Sequence, residues 1–151
     1  MSDTVRVGDM APDFSLPATG ESELRLSSYR GRPVVIVFYP GDDSPVCTKQ
    51  LNSYNDGLNE FEKLDAQVLA ISSQDLVSHD AFSEKYGLKF PLLADTDKSV
   101  AKSYGVLGPL GFPRRSVFIV DGSGVIRYAH RAIAGLSYRP VSELIDALNS
   151  F

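Results

Sequence analysis

Val34-Val35-Ile36-Val37-Phe38-Tyr39-Pro40-Gly41-Asp42-Asp43-Ser44-Pro45-Val46-Cys47-Thr48 holds the pattern that decides the fold of this 151-residue chain. Val34 to Tyr39 is a continuous β-branched and aromatic run, the signature of a strand covered on both faces. Pro40 and Gly41 end it, and a helix is expected to start at Pro45. Ser44 reads as its N-cap, with Pro45 at N1, Val46 at N2 and Cys47 at N3. The chain's only cysteine therefore stands at a strand–turn–helix junction.

Outward from that junction the elements alternate. Leu51, Tyr54, Leu58, Phe61 and Leu64 recur at helical spacing, in a helix that Gly57 weakens modestly. Val68 to Ser72 is a second buried strand, and Ser78 to Tyr86 is helical with Gly87 as its C-cap. Phe90 to Leu93 is a short extended piece, and Asp97 to Tyr104 a short helix ended by Gly105. Ser116 to Val120 is a third strand. The turn Asp121-Gly122-Ser123-Gly124 joins it to the strand Val125 to Ala129. Pro140 to Leu148 closes the chain as a helix. At the N-terminal end, Ala11 to Pro17 reads as an edge strand or extended segment, and Leu24 to Leu26 as a short return strand. Tyr104, Phe118 and Tyr128 are expected in the core. The expected architecture is an α/β sandwich: a central mixed sheet flanked by helices, with an N-terminal extended or hairpin extension. Residues 1–151 read as one domain. Ligand sites in such sheets lie at the carboxyl ends of strands, and the turn after Tyr39 is one such end.

Bulk properties narrow the function classes. Hydrophobic residues make up 43% and charged residues 23%, the balance of an ordinary globular chain. The 15 basic and 19 acidic residues give a net charge of −4, which offers no field for nucleic acid or anionic lipid. No apolar run is long enough to cross a bilayer. Met1 to Arg6 has no apolar core of a secretory signal, so a cytoplasmic protein is expected. One cysteine excludes an intrachain disulfide, CxxC chemistry and cysteine-rich zinc sites. His79 and His130 lie near no carboxylate–histidine motif, so no metal is expected. His79 sits in a polar helix and His130 follows a strand, and neither can be paired with Cys47 from sequence.

At N3, Cys47 meets the unpaired amides of a helix start. The dipole there favours an anion by roughly 0.3–1 kcal/mol, and the thiolate is the reactive form of cysteine. The amides of Val46, Cys47 and Thr48 are candidate donors to a substrate oxygen. Asp42 and Asp43 oppose a thiolate if they face it. The site then needs a cation from elsewhere, with Arg114 or Arg115 the best placed and Arg32 and Lys49 weaker candidates. Of the pair, Arg114 reads as solvated surface charge. Gly105 to Pro113 reads either as a mobile loop bordering the Cys47 pocket, with Leu107, Leu110 and Phe112 as apolar walls, or as a plain connection. Its glycines lack the GxGxxG spacing of a phosphate loop.

Pro40-x-x-x-Ser44-x-x-Cys47 resembles the peroxiredoxin pattern Pro-x-x-x-Thr/Ser-x-x-Cys. Ala11-Pro12-Asp13-Phe14 is similar to the family's N-terminal signature. Gln50 stands where the bacterioferritin-comigratory (peroxiredoxin Q) group often has glutamine. Arg115, six residues before Asp121, aligns with the family's arginine. The one-cysteine AhpE-like group is the other branch the chain resembles. The resemblance implies a thioredoxin-like fold and thiol peroxidase activity without a cofactor. Cys47 would attack a peroxide oxygen and become a sulfenic acid. Ser44 would hydrogen-bond the peroxide, and Arg115 would stabilise thiolate and developing charge. Tyr39, Pro40, Val46 and Gln50 would surround the substrate. Many members of the bacterioferritin-comigratory group carry a resolving cysteine five residues after the peroxidatic one; here that residue is Asn52. A one-cysteine cycle is then implied, completed by an external thiol: thioredoxin, glutaredoxin or a small thiol. The family's habits leave a homodimer open. A non-enzymatic redox sensor switched by Cys47 oxidation is the alternative reading, and a disulfide reductase is excluded for want of a second thiol.

Overall fold

The computed structural model describes residues 5–42, 44–132 and 138–151. Seven strands form one mixed sheet in the order β2-β1-β5-β4-β3-β6-β7. Its centre is β3 (Val34–Phe38), parallel to β4 (Gln67–Ser72) and antiparallel to β6 (Ser116–Val120). β5 (Leu92–Ala94) extends the parallel side, and β7 (Ile126–Arg131) pairs antiparallel with β6 at one edge. β3 and β6 are buried along their whole length, as their unbroken apolar runs require.

Alternation along β3 divides the core between the two faces of the sheet. Val34, Ile36 and Phe38 pack with Leu69, Ile71, Phe118, Tyr104 and Phe14. Val35, Val37 and Tyr39 pack on the other face with Val68, Ala70, Val117 and Ile119. Helices α1 (Pro45–Asp56), α2 (Leu58–Lys63), α3 (Leu76–Tyr86) and α5 (Val141–Leu148) cover this second face with Leu51, Tyr54, Phe61, Phe82 and Leu144. The first face is covered by α4 (Ser99–Ser103) and by the N-terminal segment around Ala11, Phe14 and Leu26.

Several sequence expectations need correction. The helical stripe from Leu51 to Leu64 is two helices, not one, because Gly57 interrupts it. A Cβ on Gly57 would lie 3.0 Å from both γ-carbons of Val141, so the glycine lets α5 approach the break. The N-terminal strand is Ser15–Ala18 (β1) rather than Ala11 to Pro17, and it is not the edge. Glu21–Arg25 (β2) takes the edge, and the β1 ladder shifts register between Leu16 and Ala18, around Pro17, which has no amide to donate. Leu26 to Tyr29 is a 3-10 turn. His130 lies within β7 opposite Val117, not beyond the strand. Phe118 and Tyr104 are fully buried, whereas Tyr128 is only half-buried. No helix among the described residues is long and apolar enough to cross a membrane.

Candidate active site

The chain leaves the carboxyl end of β3 at Tyr39 and enters α1 at its cap, Ser44. Ser44 caps that helix in extended geometry, and its Oγ accepts a hydrogen bond from the Cys47 amide at 3.4 Å. The Thr48 amide donates to the Ser44 carbonyl at 2.8 Å. Two of the three amides expected to face a substrate are thus engaged by the cap. That of Val46 has no acceptor among the described residues. Cys47 is fully buried, packed on the face that holds Leu51 and Val117.

β6 runs antiparallel to β3 with Ser116 opposite Phe38, so the residue before Ser116 arrives beside the β3 exit. Arg115, by two-residue spacing, lies on the same face as Val117 and Ile119, the β6 residues that pack towards α1. It is 4% exposed, and its Nη1 donates to Cys47 Sγ at 3.2 Å and to Gln50 Oε1 at 2.7 Å. The counter-charge demanded by the sequence is therefore this guanidinium, set against the sulfur in a site with little water to screen it. Arg114 is exposed. Arg32 is engaged elsewhere, with Nε donating to the Asp65 carbonyl, and Lys49 is exposed on α1.

Gln50 orients Arg115 and is itself held. Its Nε2 donates to Tyr54 Oη at 3.2 Å, and Tyr54 donates to the Arg139 carbonyl at 2.7 Å. Burial raises the Tyr54 phenol to about 12, so it keeps the proton that this relay needs. The chain from sulfur to Arg139 thus joins α1, β6 and the segment entering α5.

Of the four residues expected around the substrate, Pro40 alone lines the adjoining cavity. This cavity, of about 250 Å³, is walled by Pro40, Pro109, Leu110, Phe112, Pro113 and Arg115 among others. Tyr39 and Gln50 are fully buried and lie behind Cys47 rather than on the wall, and half-buried Val46 is not among the lining residues. The Gly105–Pro113 loop does border the site through Leu110 and Phe112, which are 85% and 57% exposed. Leu107 instead packs against the core on the other face of the sheet.

The Asp42 side chain is 2% exposed, and its carboxylate is engaged by Tyr39, Ser78 and His79. Tyr39 Oη donates to Oδ1 at 2.6 Å, Ser78 Oγ donates to Oδ2 at 2.7 Å, and His79 Nδ1 stands 2.8 Å from Oδ2. Burial pushes this carboxyl up, but the hydrogen bonds from His79, Tyr39 and Ser78 outweigh burial and hold it below the ordinary range. Burial, then the neighbouring Asp42 charge, keep Tyr39 firmly in its phenol form. Asp43 lies outside the described residues. The sequence reading missed His79, which is fully buried beneath the β3–α1 loop. Its signal was the i, i+3 spacing to Phe82, which puts both on one face of α3. Among the described residues, no group of three or more His, Cys, Asp or Glu could hold a metal ion.

The chain has relatives among known proteins. Residues 7–129 match the AhpC/TSA family. The putative chloroplastic peroxiredoxin Q of Oryza sativa subsp. indica is 40% identical over 83% of this chain. The Arabidopsis thaliana peroxiredoxin Q is 41% identical over 82%. The chain spans 59% and 58% of those two relatives. Among solved structures, the bacterioferritin comigratory protein of Xanthomonas campestris, solved for insight into its alkyl peroxide reduction activity, superposes with a TM-score of 0.83 at 29% identity. That match covers 91% of this chain and 90% of the other. Mycobacterium bovis AhpC superposes with a TM-score of 0.88 at 25% identity, over 97% and 92%. The chain belongs to the AhpC/TSA family and has the thioredoxin-like fold of its peroxiredoxin neighbours.

Proposed function

We propose that this chain, acting as one domain, is a thiol-dependent peroxidase with Cys47 as its nucleophile. The observation that carries the reading is the 3.2 Å contact between Arg115 Nη1 and Cys47 Sγ at a capped helix start. The Cys47 thiolate attacks one oxygen of a hydroperoxide, the O–O bond breaks, and the other oxygen leaves as water or an alcohol after taking up a proton. Cys47 is left as a sulfenic acid. Arg115 stabilises negative charge as it passes from sulfur to the leaving oxygen. The Ser44 hydroxyl, whose oxygen accepts from the Cys47 amide, still has its own proton to offer the peroxide.

No second cysteine exists in the chain, so an external thiol attacks the sulfenic sulfur and expels water. A second thiol then cleaves the mixed disulfide and regenerates Cys47. A thioredoxin, a glutaredoxin or a small thiol can fill both roles. Such a cycle requires surroundings that keep thiols reduced, and on our reading that is the cytoplasm. The apolar cavity beside Arg115 favours organic hydroperoxides over hydrogen peroxide, in keeping with the alkyl peroxide reduction named for the Xanthomonas protein.

The test is single-turnover oxidation of the reduced chain by stoichiometric peroxide, followed by mass spectrometry. Sulfenic acid formation far faster than for free cysteine, with turnover once a thiol system is added, is the expected result. A rate like that of free cysteine, unchanged by Arg115→Ala, overturns the proposal. Fast oxidation that no thiol system reverses would favour the redox sensor instead.

A further inference from the structure

The β3–α1 loop is fastened by side chains as well as by its ends. Asp42 reaches from the loop to Ser78 and His79 on α3, and its amide donates to the Gln74 side chain. His79 spans the gap beneath: Nδ1 stands 2.8 Å from Asp42 Oδ2 and 3.4 Å from Tyr39 Oη, and Nε2 stands 3.0 Å from the Leu93 carbonyl of β5.

Counting protons decides the state of this cluster. The Leu93 carbonyl can only accept, so Nε2 must carry a proton. Three short contacts converge on the Asp42 carboxyl. The Tyr39 and Ser78 hydroxyls supply protons to two of them. The third contact, to Nδ1, also needs a proton between its heavy atoms, because a bare imidazole nitrogen facing a carboxylate is repelled. Two O–H donors already stabilise Asp42 as an anion, so the bridging proton belongs on the ring.

We propose that His79 is a positioning residue of the Cys47 site, a doubly protonated imidazolium whose ion pair with Asp42 latches the β3–α1 loop onto α3 and β5. The latch holds the chain at Tyr39 and Asp42 and thereby sets where the first turn of α1, with Cys47, meets Arg115. A buried pair of this kind is weak as a source of stability but strong as a determinant of one arrangement, since either partner alone is a costly buried charge. The effect on peroxide chemistry rests on the peroxidase reading; the latch itself does not.

The whole 151-residue chain labelled with ¹⁵N-histidine tests the protonation state directly. The chain has only two histidines, and His130→Gln assigns the signals. A long-range ¹H–¹⁵N spectrum at neutral pH is expected to show both His79 nitrogens protonated, with ring protons slow to exchange. A bare His79 nitrogen overturns the proposal. Asp42→Asn, which keeps the shape of the side chain, and His79→Gln are expected to slow Cys47 oxidation by peroxide about ten- to a hundredfold. The double variant should be no slower than His79→Gln, since both remove one latch. Wild-type-like rates or fully additive losses overturn it. Alkylation of Cys47 by iodoacetamide requires no peroxidase chemistry. It should accelerate in Asp42→Asn as the loop loosens, and an unchanged rate overturns the latch even if the wild type proves to be no peroxidase. A wild type that reacts with peroxide no faster than free cysteine would instead overturn the peroxidase reading, leaving the latch to be judged by the spectrum and the alkylation rate.

Discussion

Arg115 Nη1 lies 3.2 Å from the sulfur of Cys47, across 68 residues of sequence, and the same nitrogen donates to Gln50 Oε1 at 2.7 Å. One donor group therefore touches the sulfur and is held by a neighbour one turn further along α1. On the proposed peroxidase reading, charge at this position acts on the reacting atoms and Gln50 supplies the orientation.

That division of labour can be measured. Arg115→Ala is expected to lower the rate of Cys47 sulfenic acid formation by about 10²–10³-fold, the usual loss when a preorganised donor is removed. Gln50→Leu should cost less, because the guanidinium stays and loses only its aim. The double variant should match Arg115→Ala. Stopped reactions analysed by mass spectrometry give all three rates, and circular dichroism checks the fold.

Asn52 offers a test of the one-cysteine cycle. Residues five apart in a helix are separated by about 7.5 Å along its axis, whereas a disulfide needs Cα atoms within about 4.4–6.8 Å. Asn52→Cys should therefore form an intrachain disulfide after peroxide treatment only as the first half of α1 unwinds. The expected signs are a loss of two hydrogens by mass and a drop in helical circular dichroism on oxidation. If the introduced thiol stays free beside an oxidised Cys47, α1 does not open.

The exposed walls of the cavity should set substrate preference. Phe112→Ala removes apolar surface beside Pro40 and Arg115. A loss of about 1.5 kcal/mol of apolar contact corresponds to roughly a tenfold rise in KM for a bulky hydroperoxide. Hydrogen peroxide has no group to fill that space, so its kinetics should stay as in the wild type. Equal losses for both peroxides would argue that Phe112 supports the loop rather than the substrate.

Glu143 predicts an acid limb to stability. Hydrogen bonds from Arg139 and then Tyr128 lower its carboxyl to about 2 from an ordinary 4.5. A depressed carboxyl stabilises the fold above its unfolded value, and that contribution fades as pH falls through the folded value. Wild-type stability should therefore decline between about pH 4.5 and 2 more steeply than that of Glu143→Gln. Urea unfolding at a series of pH values reads the difference, and parallel curves would exclude the coupling.

Local rules were enough for the core of the architecture. The apolar runs that became β3, β4 and β6, the Ser44-Pro45 start of α1 and the Gly87 end of α3 all depend on neighbours a few residues away. So did the expectation that Cys47 would face a helix start. The break at Gly57 was not legible, because the side chain that packs closely over the glycine is Val141 of α5, far along the chain. Nor was the edge role of β2, which follows from β1 taking β5 as the partner on its other side.

The order of residues is enough to place a lone thiol after a buried strand's turn and to require a cation and a second reactant for it. It narrows that cation to Arg114 or Arg115 and prefers Arg115, but it does not bring either beside the sulfur. Alternation puts Arg115, Val117 and Ile119 on one side of a strand, but not beside β3. The antiparallel register of Ser116 with Phe38 does that, and register is a property of the assembled sheet. His79 was invisible for the same reason. Its spacing marks a face of α3, while its partners Asp42 and Leu93 come from a loop and a strand that only packing brings within hydrogen-bond distance.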